Sequence, residues 1–196
     1  MILRIFTIAA ICALMIAVYV VDLVLGGSLK SYGIHPRDLG SIWTIFTAPW
    51  LHENFAHLGG NLILFLIFGS LCILNGVRYF AKASILIITI GGMLVWLFGR
   101  DANHIGASGW IFGLWSLTIV QAYFDRSVRN IAISAVVLFY YGGMAMGVLP
   151  TDAHVSFEGH LFGALAGGAA AFALAKEPRR IAASSKPKGE LKFWAK

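Results

Sequence analysis

Ser108 lies in Gly106-Ala107-Ser108-Gly109, and His160 lies in Gly159-His160-Leu161-Phe162-Gly163; both stretches are set in apolar surroundings. A hydroxyl among glycines and an imidazole in a second glycine row are the materials of acyl transfer. An imidazole titrating near neutrality can take the serine proton and return it to a leaving amine. Gly106 and Gly109 permit unusual dihedrals and close backbone approach. A helix starting at Ser108 would leave backbone N–H groups free to meet an anion. His57 and Asn61 are four residues apart, so they share a helix face. Two neutral donors there, with the Ser108 amide, could hold an oxyanion. Asn61 could equally bridge two helices.

No carboxylate is an obvious third member. Glu158 is two residues from His160, about 200° around a helix. Asp101 and Asp152 fall in loops and remain candidates, and a Ser108–His160 dyad is the simpler reading. Phe112, one turn after Ser108, could pack on the imidazole and fix its plane. A metal fits poorly. His52 and His57 are five apart, not the four of the H-E-x-x-H zinc motif. No metal and no other cofactor is expected.

These groups need elements to hold them. The chain has 196 residues, 59% apolar and 12% charged, with mean hydropathy +0.80. A soluble domain carries about 25% charged residues, so disorder, a coiled coil and a soluble globule are excluded. Six apolar runs are predicted as membrane-spanning helices, over roughly 5–25, 56–76, 79–99, 106–124, 129–149 and 156–175. The first is read as a retained helix, since its apolar run exceeds a signal core and no A-x-A site follows. Asp22 is expected at the interface, in reach of water.

With the N-terminus placed inside, twelve of the fifteen lysines and arginines fall on the inner side, including seven in the tail from Lys176. Only Lys30, Arg37 and Arg100 fall outside. The excess of +6 therefore reads as orientation, with both termini cytoplasmic, rather than as a nucleic-acid surface. All six histidines, residues 35, 52, 57, 104, 154 and 160, come to the outer side. Residues 26–55, with Pro36, Trp43, Pro49 and Trp50, are expected as an interfacial or re-entrant outer segment. Cys12 and Cys72 read as buried thiols. Gly109 and Gly113 in the fourth run, and Gly159, Gly163 and Gly167 in the sixth, repeat at four, the spacing of close helix contacts. Such packing could bring imidazole to hydroxyl. Gly142 and Gly143 would let the fifth helix bend, or simply pack.

In this order and on these runs, the elements H-x-x-x-N, G-x-S-G and G-H-x-x-G-x-x-x-G resemble the rhomboid family of intramembrane serine proteases over about 40–175. The resemblance implies an all-α polytopic membrane protein, a six-helix bundle with an interfacial first outer loop. It implies a membrane domain over 1–175 and a basic cytoplasmic tail over 176–196. Ser108 is implied as nucleophile, His160 as base, and His57, Asn61 and the Ser108 amide as oxyanion donors. His52 matches a further family histidine upstream of the oxyanion pair. Inactive relatives lose the catalytic residues, and this chain keeps them. Trp43 matches the first half of the family's Trp-Arg pair, but Thr44 replaces the arginine, which opens the question of how the first outer loop is braced. The resemblance implies cleavage of single-span or polytopic membrane proteins near the outer face, at sites with small residues, in a bilayer, with no nucleic-acid partner. The cell membrane is the expected location. A non-enzymatic membrane protein, a substrate-binding pseudoprotease or a transporter-like bundle, is the alternative.

Overall fold

The computed structural model describes residues 1–152 and 155–176. His154 and the basic tail beyond Lys176 lie outside the described residues. Six α-helices occur among them: α1 (Ile2–Val24), α2 (Phe55–Ile73), α3 (Val77–Phe98), α4 (Ser108–Phe124), α5 (Val128–Tyr141) and α6 (Phe157–Ala173). The described residues form no strand, only an isolated antiparallel bridge between Ile34 and His104.

Among the described residues, four segments are long and apolar enough to cross a membrane: Ile2–Val24, Phe55–Ile73, Val77–Phe98 and Val128–Val148. α4 and α6 have 17 residues each, about 25 Å of helix against a hydrocarbon core of about 30 Å. By length and composition, four of the six predicted spans qualify among the described residues. The reason is visible in α4, where every residue from Trp110 to Thr118 is buried. A helix enclosed by its neighbours need not match the bilayer, and it is apolar on all sides. Its Trp110 meets Phe65 of α2 edge-on, with centroids 4.6 Å apart, and packs near Phe80 of α3.

The fifth helix changes character where the sequence has Gly142-Gly143. The α-helix stops at Tyr141 and a 3-10 helix runs over Gly142–Val148. A Cβ at either glycine would meet nothing within 4 Å, so neither glycine serves helix packing.

Asp22 departs from expectation. It is buried, 3% exposed, and its Oδ1 accepts the Leu29 N–H at 2.8 Å. The carboxylate is used to turn the chain out of α1 rather than to reach water.

Residues 26–55 contain three 3-10 helices, Ser28–Tyr32, Leu39–Phe46 and Ala48–Trp50. Thr44, where the arginine was absent, is buried, and its hydroxyl donates to the Ser41 carbonyl at 2.6 Å. The bracing arginine is Arg37. Its Nη1 donates to the Gly99 carbonyl at 2.7 Å, and its N–H donates to the Trp96 carbonyl at 2.9 Å. Arg37 adopts φ 64°, the left-handed region, which costs a non-glycine residue about 1–2 kcal/mol. Trp96 Nε1 donates back to the Asp38 carbonyl at 2.9 Å. The segment is also tied to α4's approach, because the Gly106 N–H donates to the Ala48 carbonyl at 2.9 Å.

Candidate active site

The glycine rows lie at one interface. A Cβ on Gly163 would overlap the Gly109 carbonyl oxygen, and one on Gly167 would overlap that of Gly113. A Cβ on Gly109 would sit 3.0 Å from the Gly159 carbonyl oxygen. The backbones of α4 and α6 therefore touch, and no side chain larger than hydrogen fits between them. Ser116 Oγ crosses the same seam to the Ala164 carbonyl at 2.6 Å. Gly109 and Gly159 are the neighbours of Ser108 and His160, so this seam carries both residues at one end.

Ser108 is the first residue of α4, and the preceding Ala107 offers no side-chain cap. The first helical bond is Ile111 N–H to the Ala107 carbonyl, 2.9 Å. The amides at the start of the helix are left without intrahelical acceptors. Gly106 turns the chain into this position at φ 117°, a conformation that strongly favours glycine.

α2 brings its donors to the same turn. Asn54 Oδ1 caps it by accepting the His57 N–H at 2.9 Å. His57 Nδ1 accepts the Glu53 N–H at 3.4 Å. A ring nitrogen that accepts carries no proton, so the neutral ring has its proton on Nε2. That edge faces Gly106: a Cβ there would lie 2.7 Å from His57 Nε2 and 3.5 Å from Asn61 Nδ2. Asn61 is buried, and its Nδ2 has no partner among the described residues.

His160 has the complementary arrangement. Its Nδ1 lies 2.9 Å from the Gly147 carbonyl oxygen. A carbonyl only accepts, so Nδ1 carries the proton and Nε2 holds a free lone pair. Phe112 stacks on the ring, centroids 4.1 Å apart and planes 6° from parallel. Glu158 turns away and pairs with Arg100 Nε at 3.5 Å. The orienting group is therefore the Gly147 backbone, which sequence reasoning missed. The need for glycine there shows only in the structure, where a Cβ at Gly147 would lie 2.8 Å from Phe112 Cζ. Among the described residues, no hydrogen bond joins Ser108 Oγ to His160. Apo geometries of such pairs are often long and tighten with substrate.

His52 is 1% exposed, with its ring edge-on to His57 at 5.2 Å. Neither ring nitrogen makes a full hydrogen bond among the described residues. Burial pushes this imidazole down to about 4 and His57 beside it acts in the same direction, while the nearby Trp50 backbone opposes them. His52 thus packs behind His57 as a neutral ring. A cavity of about 50 Å³ opens beside Ser108, with Gly106, His104 and Ser156 among otherwise mostly apolar lining residues. That is room for a few water molecules.

An all-helical integral membrane protein with a serine, an imidazole and orphaned donors gathered at one end of a helix seam is the class that fold and site define. The Rhomboid domain profile matches residues 39–177. The chain belongs to the rhomboid family. An uncharacterized protein of Mycobacterium tuberculosis is 38% identical over 186 residues, covering 90% of this chain and 78% of that one. An uncharacterized Mycobacterium leprae protein is 36% identical over 186 residues, covering 90% and 74%. Rhomboid-like protein 11, chloroplastic, of Arabidopsis thaliana is 28% identical over 155 residues, covering 67% and 52%.

Proposed function

We propose that this protein is an intramembrane serine endopeptidase that cleaves transmembrane helices of other membrane proteins near the outer face. Ser108 Oγ attacks the scissile carbonyl and gives its proton to His160 Nε2. The imidazolium keeps its Nδ1 bond to the Gly147 carbonyl and then protonates the leaving amine. Asn61 Nδ2, His57 Nε2 and the Ser108 amide receive the oxyanion. Water from the neighbouring cavity releases the acyl group, with His160 as base again.

The observation that carries this reading is the orphaned Asn61 amide. A buried donor without a partner costs about 1–3 kcal/mol. It lies beside Gly106, two residues before Ser108 and next to the free amide end of α4. Trp110 Nε1 and Trp115 Nε1 are also buried without partners, so it is the position of the Asn61 amide, beside the turn into Ser108, that points to a ligand oxygen. Six helices enclosing the site, both termini in the cytoplasm and a cell-membrane location belong to the same proposal, supported by the sidedness of the lysines and arginines. The unmade Ser108–His160 hydrogen bond favours a second reading, a binder that holds membrane helices without cutting them.

The test uses purified protein in bicelles with a library of single-span substrates, cleavage being mapped by mass spectrometry. Ser108→Ala and His160→Ala should each abolish cleavage in folded protein, and the double variant should be no worse. A fluorophosphonate should label Ser108 in the wild type. Cleavage retained in Ser108→Ala would sink the serine mechanism. A wild type that neither cleaves nor labels favours the binder.

A further inference from the structure

A second histidine–serine contact sits one step behind the first. His104 Nδ1 and Ser156 Oγ are 2.7 Å apart. His104 is four residues before Ser108, and Ser156 is four residues before His160. His104 Nε2 lies 3.1 Å from the Arg100 carbonyl, which only accepts, so Nε2 carries the proton in the neutral ring. Nδ1 must then accept from the Ser156 hydroxyl. Ser156 Oγ in turn caps α6 by accepting the Gly159 N–H at 3.1 Å. The proton directions form one chain, from the first turn of α6 through Ser156 and His104 to the carbonyl of Arg100.

Neighbouring bonds reinforce it. Arg100 Nη2 donates to the Val155 carbonyl at 2.7 Å, and the Arg100 N–H donates to Glu158 Oε1 at 3.3 Å. The His104 backbone exchanges both hydrogen bonds with Ile34, at 2.9 and 3.0 Å. One residue thus joins the outer segment, the approach to α4 and the cap of α6. His104 is 4% exposed.

We propose that His104 and Ser156 are positioning residues: their hydrogen bond fixes the height of the α6 cap against the approach to α4, and so the distance from His160 to Ser108. The proposal rests on the proteolytic reading. The glycine seam sets how close α4 and α6 lie. Along the seam Ser116 Oγ donates to the Ala164 carbonyl at 2.6 Å, two turns beyond Ser108, which leaves the end that carries Ser108 and His160 to be held separately. The His104–Ser156 bond holds that end, where registry between Ser108 and His160 matters.

The experiment measures kcat and KM on a cleaved single-span substrate, together with Tm, for full-length protein in bicelles. His104→Phe keeps the ring's bulk and the backbone bridge to Ile34 but removes the side-chain bonds. Its kcat should fall about 10- to 100-fold, as expected for a misplacement near 1 Å, with KM within about twofold. Ser156→Gly should behave alike, because glycine is tolerated at an N-cap but cannot reach His104. Ser156→Thr keeps both bonds and should restore turnover. The double variant should be no slower than the slower single, since both remove one bond. Unchanged kcat in either single variant, multiplied effects in the double, or a kcat loss that Ser156→Thr shares overturns the proposal. Should His104→Phe fail to fold, the Ser156→Gly and Ser156→Thr pair decides alone. Cleavage persisting in Ser108→Ala overturns the protease reading instead, whatever the positioning variants do.

Discussion

A buried amide without an acceptor costs about 1–3 kcal/mol, and Asn61 carries one at 5% exposure. Removing it therefore separates structure from catalysis. In Asn61→Ala the folded protein loses an unsatisfied donor, so Tm should hold or rise slightly. If the amide meets the oxyanion, kcat should fall by about 10²–10³, or ~2.7–4 kcal/mol. The loss will sit at the lower end if His57 Nε2 and the Ser108 amide still act. Melting temperature and kcat measured on one preparation give the answer, and wild-type kcat in folded Asn61→Ala removes the residue from the site. The side chains of this cluster were legible in the sequence because their types are rare in apolar helices and their spacing is restrictive. What held His160 was not legible. Its partner is the carbonyl of Gly147, and every residue has a carbonyl. The tautomers of His57 and His160 follow from those same backbone contacts, so no reading of side-chain types could assign them.

Helix α6 shows how an element delivers such a residue. Its glycines face α4 at Gly163 and Gly167, while Gly168 has open space where a Cβ would go. The same substitution should then have opposite signs five residues apart. Gly168→Ala removes only backbone freedom and should stabilise by about 0.5–1 kcal/mol. Gly163→Ala would press on the Gly109 carbonyl, and overpacking of this kind costs about 1–3 kcal/mol. Gly163→Leu should also lower turnover, by about 100-fold for a displacement of about 1 Å. Thermal melts of the two alanine variants check the first pair, and equal Tm values would mean that the seam is loose. The four-residue repeat made this interface readable in advance. The turn at Gly142 was only half readable, since glycine signals both bending and packing, and only the empty surroundings distinguish them. The brace at Arg37 was hidden for a different reason. Its bonds go to the carbonyls of Gly99 and Trp96, some sixty residues away, and a left-handed arginine has no sequence signature.

Across the whole molecule, residues 26–55 meet the bundle next to two buried imidazoles, His52 and His104. Length and composition announced a membrane bundle but could not announce that α4 and α6 would be short, because that depends on what surrounds them. Nor could they announce that these two histidines would be buried at that junction. Burial lowers both from the ordinary value of 6.5, His52 to about 4 with His57 adding to the effect. For His104 the Arg100 carbonyl and Glu158 oppose the shift, while the Arg100 and His35 charges add to it. The sign follows. Above pH 6.5 both imidazoles are neutral whether the chain is folded or unfolded, and they leave stability unchanged. As pH falls below 6.5, the unfolded chain takes up protons that the folded protein refuses. Stability is therefore lost on acidification, for His52 over the window from 6.5 down to about 4. The full His52 shift corresponds to about 3 kcal/mol at most. Melts in detergent should show Tm steady from pH 8 to about 6.5 and falling at about pH 5. Carboxylates titrate lower in that range, so a variant must isolate the histidine. His52→Phe keeps a ring against His57 and cannot be protonated. It should raise Tm relative to wild type more at pH 5 than at pH 8. An identical difference at the two pH values would remove His52 as the source of the acid sensitivity.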